Sequence, residues 1–122
     1  MAFLKLYPLH ETEHLGEQDF GRGHPARCIA IRQFDAREFY LNVDRIAAFE
    51  ACPLYLICDA EPNGLVDGIR LRLVGGEILV VPDDPEDGQS GFVAALAQAL
   101  REGVAEVGFS AYLRELARLG HI

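Results

Sequence analysis

Two histidines four residues apart, His10 and His14, with Glu11 beside the first, make His10-Glu11-Thr12-Glu13-His14 a match to the HExxH pattern. On a helix that spacing puts both imidazoles on one face to hold zinc, and the glutamate polarises the metal-bound water. The chemistry needs a buried helix, a third ligand and outer partners that fix the rings. His24, Glu17 or Asp19 stand nearest for the third ligand. Pro8 lies two residues before the motif, Glu13 puts a charge inside it and Gly16 follows soon after, so no amphipathic helix surrounds it. The expectation is a solvated loop with histidines at chance spacing and no cofactor. A metal-dependent hydrolase using His10, Glu11 and His14 is the alternative.

Four further clusters carry chemistry-bearing residues. Asp83-Asp84-Pro85-Glu86-Asp87 holds four acids in five positions, but without the alternate-ligand spacing, central glycine and twelfth-position glutamate of a calcium loop. Ahead of a helix, such acids meet its positive end and stabilise it by about 0.3–1 kcal/mol each. Arg32, Arg37, Arg70 and Arg72 fall on strand positions that can share one solvent face, a local basic stripe suited to phosphate or carboxylate. Cross-strand pairing with Glu38 or Glu77 is the ordinary explanation of that stripe. Gly21-Arg22-Gly23-His24 is too short for a phosphate loop, and Ser90 and Ser110 sit where helix capping explains them. No nucleophile with a base beside it emerges.

The elements that position these residues follow from periodicity. Phe3 to Tyr7 alternates weakly and stops at Pro8, as an edge strand does, and Leu9 to Pro25 reads as a long loop or mobile arm. Cys28 to Phe34 and Arg37 to Asn42 are strand candidates at hairpin distance across Asp35-Ala36. Val43 to Cys52 fits a bulged strand better than a helix, although Asp44 suits a helix cap. Leu54 to Cys58 has the length and composition of a buried strand, and Asp59 to Asp67 reads as a turn-rich loop. Ile69 to Val74 and Glu77 to Val81 flank Gly75-Gly76, a hairpin with a two-residue turn that puts Ile69, Leu71 and Leu73 on one face and Arg70 and Arg72 on the other. Helices are expected over Gly91 to Glu102, ended by Gly103, and over Ala111 to Leu119, with Ser110 as N-cap and Gly120 as the residue after the end.

Length and charge bound the class. A chain of 122 residues with half of them apolar and a quarter charged suits one folded domain that buries roughly 65% of its unfolded surface. The expected division of residues 1–122 is an N-terminal strand and polar arm over 1–26, a β-rich core over 27–82 and a helical part over 83–122. No run approaches the roughly 20 apolar residues of a membrane span and no secretory signal is visible, so the expectation is a cytoplasmic protein without membrane insertion. The net charge of −8, from 19 acids against 11 bases, makes nucleic acid an unlikely partner and a basic protein a better one. Cys28, Cys52 and Cys58 form an odd set without CxxC spacing and are expected as reduced, core-filling thiols.

With the strands placed, Ile29 to Ile46 resembles the opening of the small flagellar FlbD (SwrD) family, which runs strand, turn, strand, then Leu-Asn, an acid and Ile. Leu41, Asn42, Asp44 and Ile46 fall in that register. The resemblance continues through Phe49, Glu50 and Pro53, then Ile69 to Leu73, Gly76 and Leu79 to Val81 ahead of a helix, and covers about half the chain. Some fifteen residues between Pro53 and Ile69, the Leu9 to Pro25 arm and the second helix are additions to that pattern. The resemblance implies a non-enzymatic accessory or regulatory role through protein contacts and supplies no catalytic residue. The Ile69 to Val81 hairpin also resembles that of LytTR-type DNA-binding domains, which makes DNA binding through Arg70 and Arg72 a further alternative. The fold expected is α+β, an antiparallel sheet of about five strands packed against one or two C-terminal helices, with a homo-oligomer through a free sheet edge as one mode of association.

Overall fold

Apolar alternation carries the chain through ten short strands in the computed structural model, which describes residues 1–9, 15–30, 37–58 and 61–120. In chain order these are β1 (Phe3–Leu6), β2 (Glu17–Gln18), β3 (Ala26–Ala30), β4 (Phe39–Asn42), β5 (Ile46–Ala51), β6 (Leu54–Cys58), β7 (Glu61–Val66), β8 (Gly68–Leu73), β9 (Ile78–Pro82) and β10 (Val104–Glu106). Helix α1 (Gly91–Glu102) precedes β10, and α2 (Ser110–Arg118) follows it. The architecture is α+β, with mostly antiparallel pairing in three sheets ordered β10-β1-β4, β2-β3-β6-β7 and β5-β8-β9. Among the described residues no helix is long and apolar enough to cross a membrane.

One bent ribbon joins two of the sheets. β5 pairs antiparallel with β8 and β6 with β7, and the register runs unbroken from Phe49 opposite Leu71 to Leu56 opposite Gly64. The Cys52 amide donates to the Gly68 carbonyl at 2.8 Å, carrying the ladder across the bend at Pro53. Only glycine fits at 68, because a Cβ there would lie 2.4 Å from Leu54 Cδ1 and 2.8 Å from the Cys52 carbonyl oxygen. The segment expected as a loop from Asp59 to Asp67 therefore contains a strand, β7. Its Pro, Asn and Gly look like turn residues, but ladder bonds to β6 hold them extended, and a bulge between Leu56 and Ile57 absorbs the irregularity.

Other sequence expectations meet tertiary context. β1 is central rather than an edge, because β10 adds to it in parallel; three residues with only Ala105 buried are too few to announce a strand. The hairpin proposed across Asp35-Ala36 has its turn outside the described residues. In the described parts, β3 lies between β2 and β6, and β4 lies against β1. The arm from Leu9 to Pro25 is partly packed: β2 pairs with β3, Phe20 stacks edge-on to Tyr55, and Tyr55 Oη donates to the His24 carbonyl at 2.8 Å. Val43–Arg45 forms one 3₁₀ turn, capped by the Asn42 side chain rather than by Asp44, and then β5 begins as expected. The turn at Gly75-Gly76 has three loop residues, not two. Gly76 alone adopts positive φ, at +90°, and its amide donates to Leu73.

The core divides by sheet face. α1 lays Phe92, Ala95 and Ala99 on Leu4, Leu6, Leu41, Ile69, Leu71, Leu73 and Val81. α2 lays Tyr112 and Leu116 on the other side, against Ile29, Leu54, Leu56 and Val80. Tyr55, Ile57, Ala26 and Cys28 make a third cluster on the outer side of β6, so this strand is buried on both faces. Cys28 and Cys52 are buried.

Asp83, just past the end of β9, is buried, and its Oδ1 accepts from the amides of Asp84 and Phe92 at 3.0 and 2.9 Å. Asp84 accepts from the amides of Ser110 and Ala111, both at 3.3 Å. The acids thus cap helices, as expected, but Asp84 caps the distant one. Ser110 is not the N-cap of α2, since its own amide is among those Asp84 receives. Ser90 does cap α1, accepting from Val93 at 3.3 Å. Replacing Asp83 by Ala leaves a buried amide without an acceptor and should cost about 1–3 kcal/mol in denaturant unfolding, against about 1 kcal/mol or less for Ser90→Ala. Equal losses would contradict the role given to Asp83.

Candidate functional site

Arg70 and Arg72 both leave the solvent side of β8, two residues apart as the strand repeat requires. Register brings Ala48 and Glu50 of β5 opposite Arg72 and Arg70, and Ile78 and Val80 of β9 on the other flank. At the Val80 end this face is closed over by α2 and β6. Toward the other end it opens into a groove of about 200 Å³ lined by Ala48, Phe49, Glu50, Arg70, Arg72 and Ile78. The structure thus brings together the two arginines that strand alternation had singled out.

Their expected partners are engaged elsewhere. Glu38 sits 3.0 Å from Lys5, and Glu77 lies 3.9 Å from Arg45. Arg70 is half-buried, and its Nε, shielded from solvent, has no hydrogen-bond partner among the described residues. An unmet buried donor of this kind costs about 1–3 kcal/mol, more when charged. Arg37 is exposed ahead of β4, in another sheet, and Arg32 lies outside the described residues.

The strand that walls the groove is unusual for an edge. Nothing pairs with the outer side of β5 among the described residues, and five of its six residues are exposed. Phe49 is 40% exposed although its ring meets Phe92 at 4.9 Å on the core side. The one irregularity is a bulge at Ala47, between the pairs Ile46–Leu73 and Ala48–Arg72. Ala48, Phe49 and Glu50 had no place among the sequence candidates; only the register against β8 puts Ala48 and Glu50 beside the arginines, with Phe49 between them opposite Leu71.

A second polar cluster joins residues far apart in sequence. Lys5 lies 3.0 Å from Glu38 and 3.3 Å from Glu106, and Tyr7 Oη donates to Glu106 at 2.7 Å. Parallel pairing of Lys5 with Glu106 creates it, a contact no local pattern announces. The two carboxylates, Glu38 first, hold the Lys5 ammonium above its ordinary range, the reverse of what a nucleophilic lysine needs. The bond to Glu106 raises the Tyr7 phenol, and the Tyr7 hydroxyl, with Lys5 behind it, lowers Glu106. Every shift favours the ion pairs as drawn, so the cluster pins β10 to β1.

The HExxH residues His10, Glu11 and His14 lie outside the described residues. His24 is exposed and uses its carbonyl, not its ring, on Tyr55; Glu17 is exposed in β2, and the Asp19 side chain accepts from the Gly21 amide at 3.0 Å in a tight turn. Among the described residues no three His, Cys, Asp or Glu side chains are placed to hold a metal ion. Comparison of the chain with known families, curated proteins and solved structures finds no match.

The ion cluster yields a titration. Tyr7→Phe should move the Glu106 carboxyl up toward its ordinary value in a carboxyl NMR titration, and an unmoved Glu106 would mean that the phenol does not hold it. A carboxylate lowered by folding stabilises the fold above its unfolded pKa, about 4.3, and loses that contribution as pH falls through the folded value. Glu106→Gln should accordingly flatten the acid end of the stability profile.

Proposed function

We propose that the chain is a non-enzymatic accessory or regulatory module that works through protein contacts, and that β5 is the edge it offers. The observation that carries this reading is the coincidence on one strand of an edge that pairs with nothing among the described residues, exposed apolar side chains and a neighbouring groove lined by two arginines. Edge strands are ordinarily guarded by lysine, proline or inward charges. Ile46-Ala47-Ala48-Phe49-Glu50-Ala51 has only a bulge and one glutamate. A strand added there gains main-chain hydrogen bonds along β5, while the groove beneath reads its side chains.

The other polar groups have structural occupations that support the same reading: Asp83 and Asp84 cap helices, Ser90 caps α1, and Lys5, Tyr7 and Glu106 bind β10 to β1. The resemblance of residues 29–46 and 69–81 to the flagellar FlbD family points the same way, and a cytoplasmic setting fits it. Against DNA, Glu50 stands in the groove beside the two arginines, where a phosphate chain would have to pass a carboxylate. The arginines add a local contact for a carboxylate on the strand that docks.

Ala48→Lys places a guarding charge on the edge at an exposed position and leaves the core untouched. In capture from the native host, the wild-type chain should retain a stoichiometric protein that the variant loses. Equal retention by both would remove β5 from the reading, and no protein retained by either would remove the reading itself.

A further inference from the structure

We infer that the strand β5 receives is β5 of a second copy, paired antiparallel about a two-fold axis at Phe49. The inference rests on the docking edge just proposed and names its occupant. A two-fold axis perpendicular to the sheet keeps each side chain on its own face, so a residue must pair with itself at the centre. Centring on Glu50 sets two like charges directly opposite. Centring on Ala48 drives Phe49 and Glu50 against the bulge at Ala47. Centring on Phe49 uses Ala48, Phe49 and Glu50 of both copies and stops short of the bulge.

That third register is also the one the charges complete. It places Glu50 of the second copy opposite Ala48, and Ala48 is opposite Arg72. Glu50 of the second copy then stands two strand spacings, about 10 Å, from the Arg72 backbone, a span that an extended arginine and glutamate cover together. Alanine at 48 leaves the way over β5 open. By symmetry the pair forms twice, while on the core side the two Phe49 rings meet across the axis beside Phe92. Each copy carries −8, but at about 0.15 M salt the Debye length of about 8 Å screens the distant acids and leaves the two contact pairs to decide.

Sedimentation equilibrium on the full chain, from micromolar to millimolar concentration, tests this. The wild type should form a dimer, and Glu50→Arg and Arg72→Glu should each weaken it at least tenfold by setting like charges together. An equimolar mixture of the two variants should restore a dimer, because each contact then joins an arginine to a glutamate. A monomeric wild type, a dimer indifferent to both substitutions, or a mixture that stays monomeric would each overturn the inference. A monomeric wild type that still captures a different protein through an edge sensitive to Ala48→Lys would overturn the second copy alone and leave the docking edge standing. A dimer that Ala48→Lys does not weaken would form through another face and would likewise overturn the second copy at β5, the docking edge then resting on the capture experiment.

Discussion

The arrangement depends on two neighbouring carboxylates at the end of one strand. Along β9 side chains alternate, so Leu79 and Val81 face the core under α1 while Val80 faces the core under α2. Asp83 and Asp84 continue that alternation past Pro82. The first receives the amide of Phe92 near the start of α1, the second the amides of Ser110 and Ala111 at the start of α2. Each helix is thereby anchored by its positive end to the face of the sheet that it covers. Without that anchorage the two cores would share no fixed origin.

Covering is uneven, and this makes the surface. α2 and β6 close the Val80 end of the arginine face but do not reach Ile78 and Ala48, so the groove remains. On the opposite face Phe92 reaches Phe49 and leaves two-fifths of it exposed. The groove thus forms where a four-residue β1-β4 pairing hands over, through one 3₁₀ turn, to a strand with no outer neighbour among the described residues.

What the sequence disclosed divides by the range of the interaction. The hairpin about Gly75-Gly76, helix α1 with its Ser90 cap and Gly103 stop, the buried strand at Leu54 and the shared face of Arg70 and Arg72 rest on residues close together, and all were legible. Strands β7 and β10 were not, since their residues are extended only by virtue of partners, β6 in one case and β1 in the other. The same limit hid Asp84 as the cap of α2, 26 residues away, and Glu106 as the partner of Tyr7, 99 residues away. For the groove, strand alternation disclosed two arginines, whereas Ala48, Phe49 and Glu50 needed a register. The stretch from Leu54 to Val66, half of it read as a loop, builds the ribbon's second arm.

One small contact limits how the third sheet can grow. Its other margin, β9, is not open at its middle, because the Leu9 amide already donates to the Val80 carbonyl at 2.8 Å and Leu9 bridges to that residue. A chain of molecules stacked head to tail, each laying β5 on the β9 of the next, would have to strip that clasp away at every step. Endless growth of β5 on β9 is thereby disfavoured.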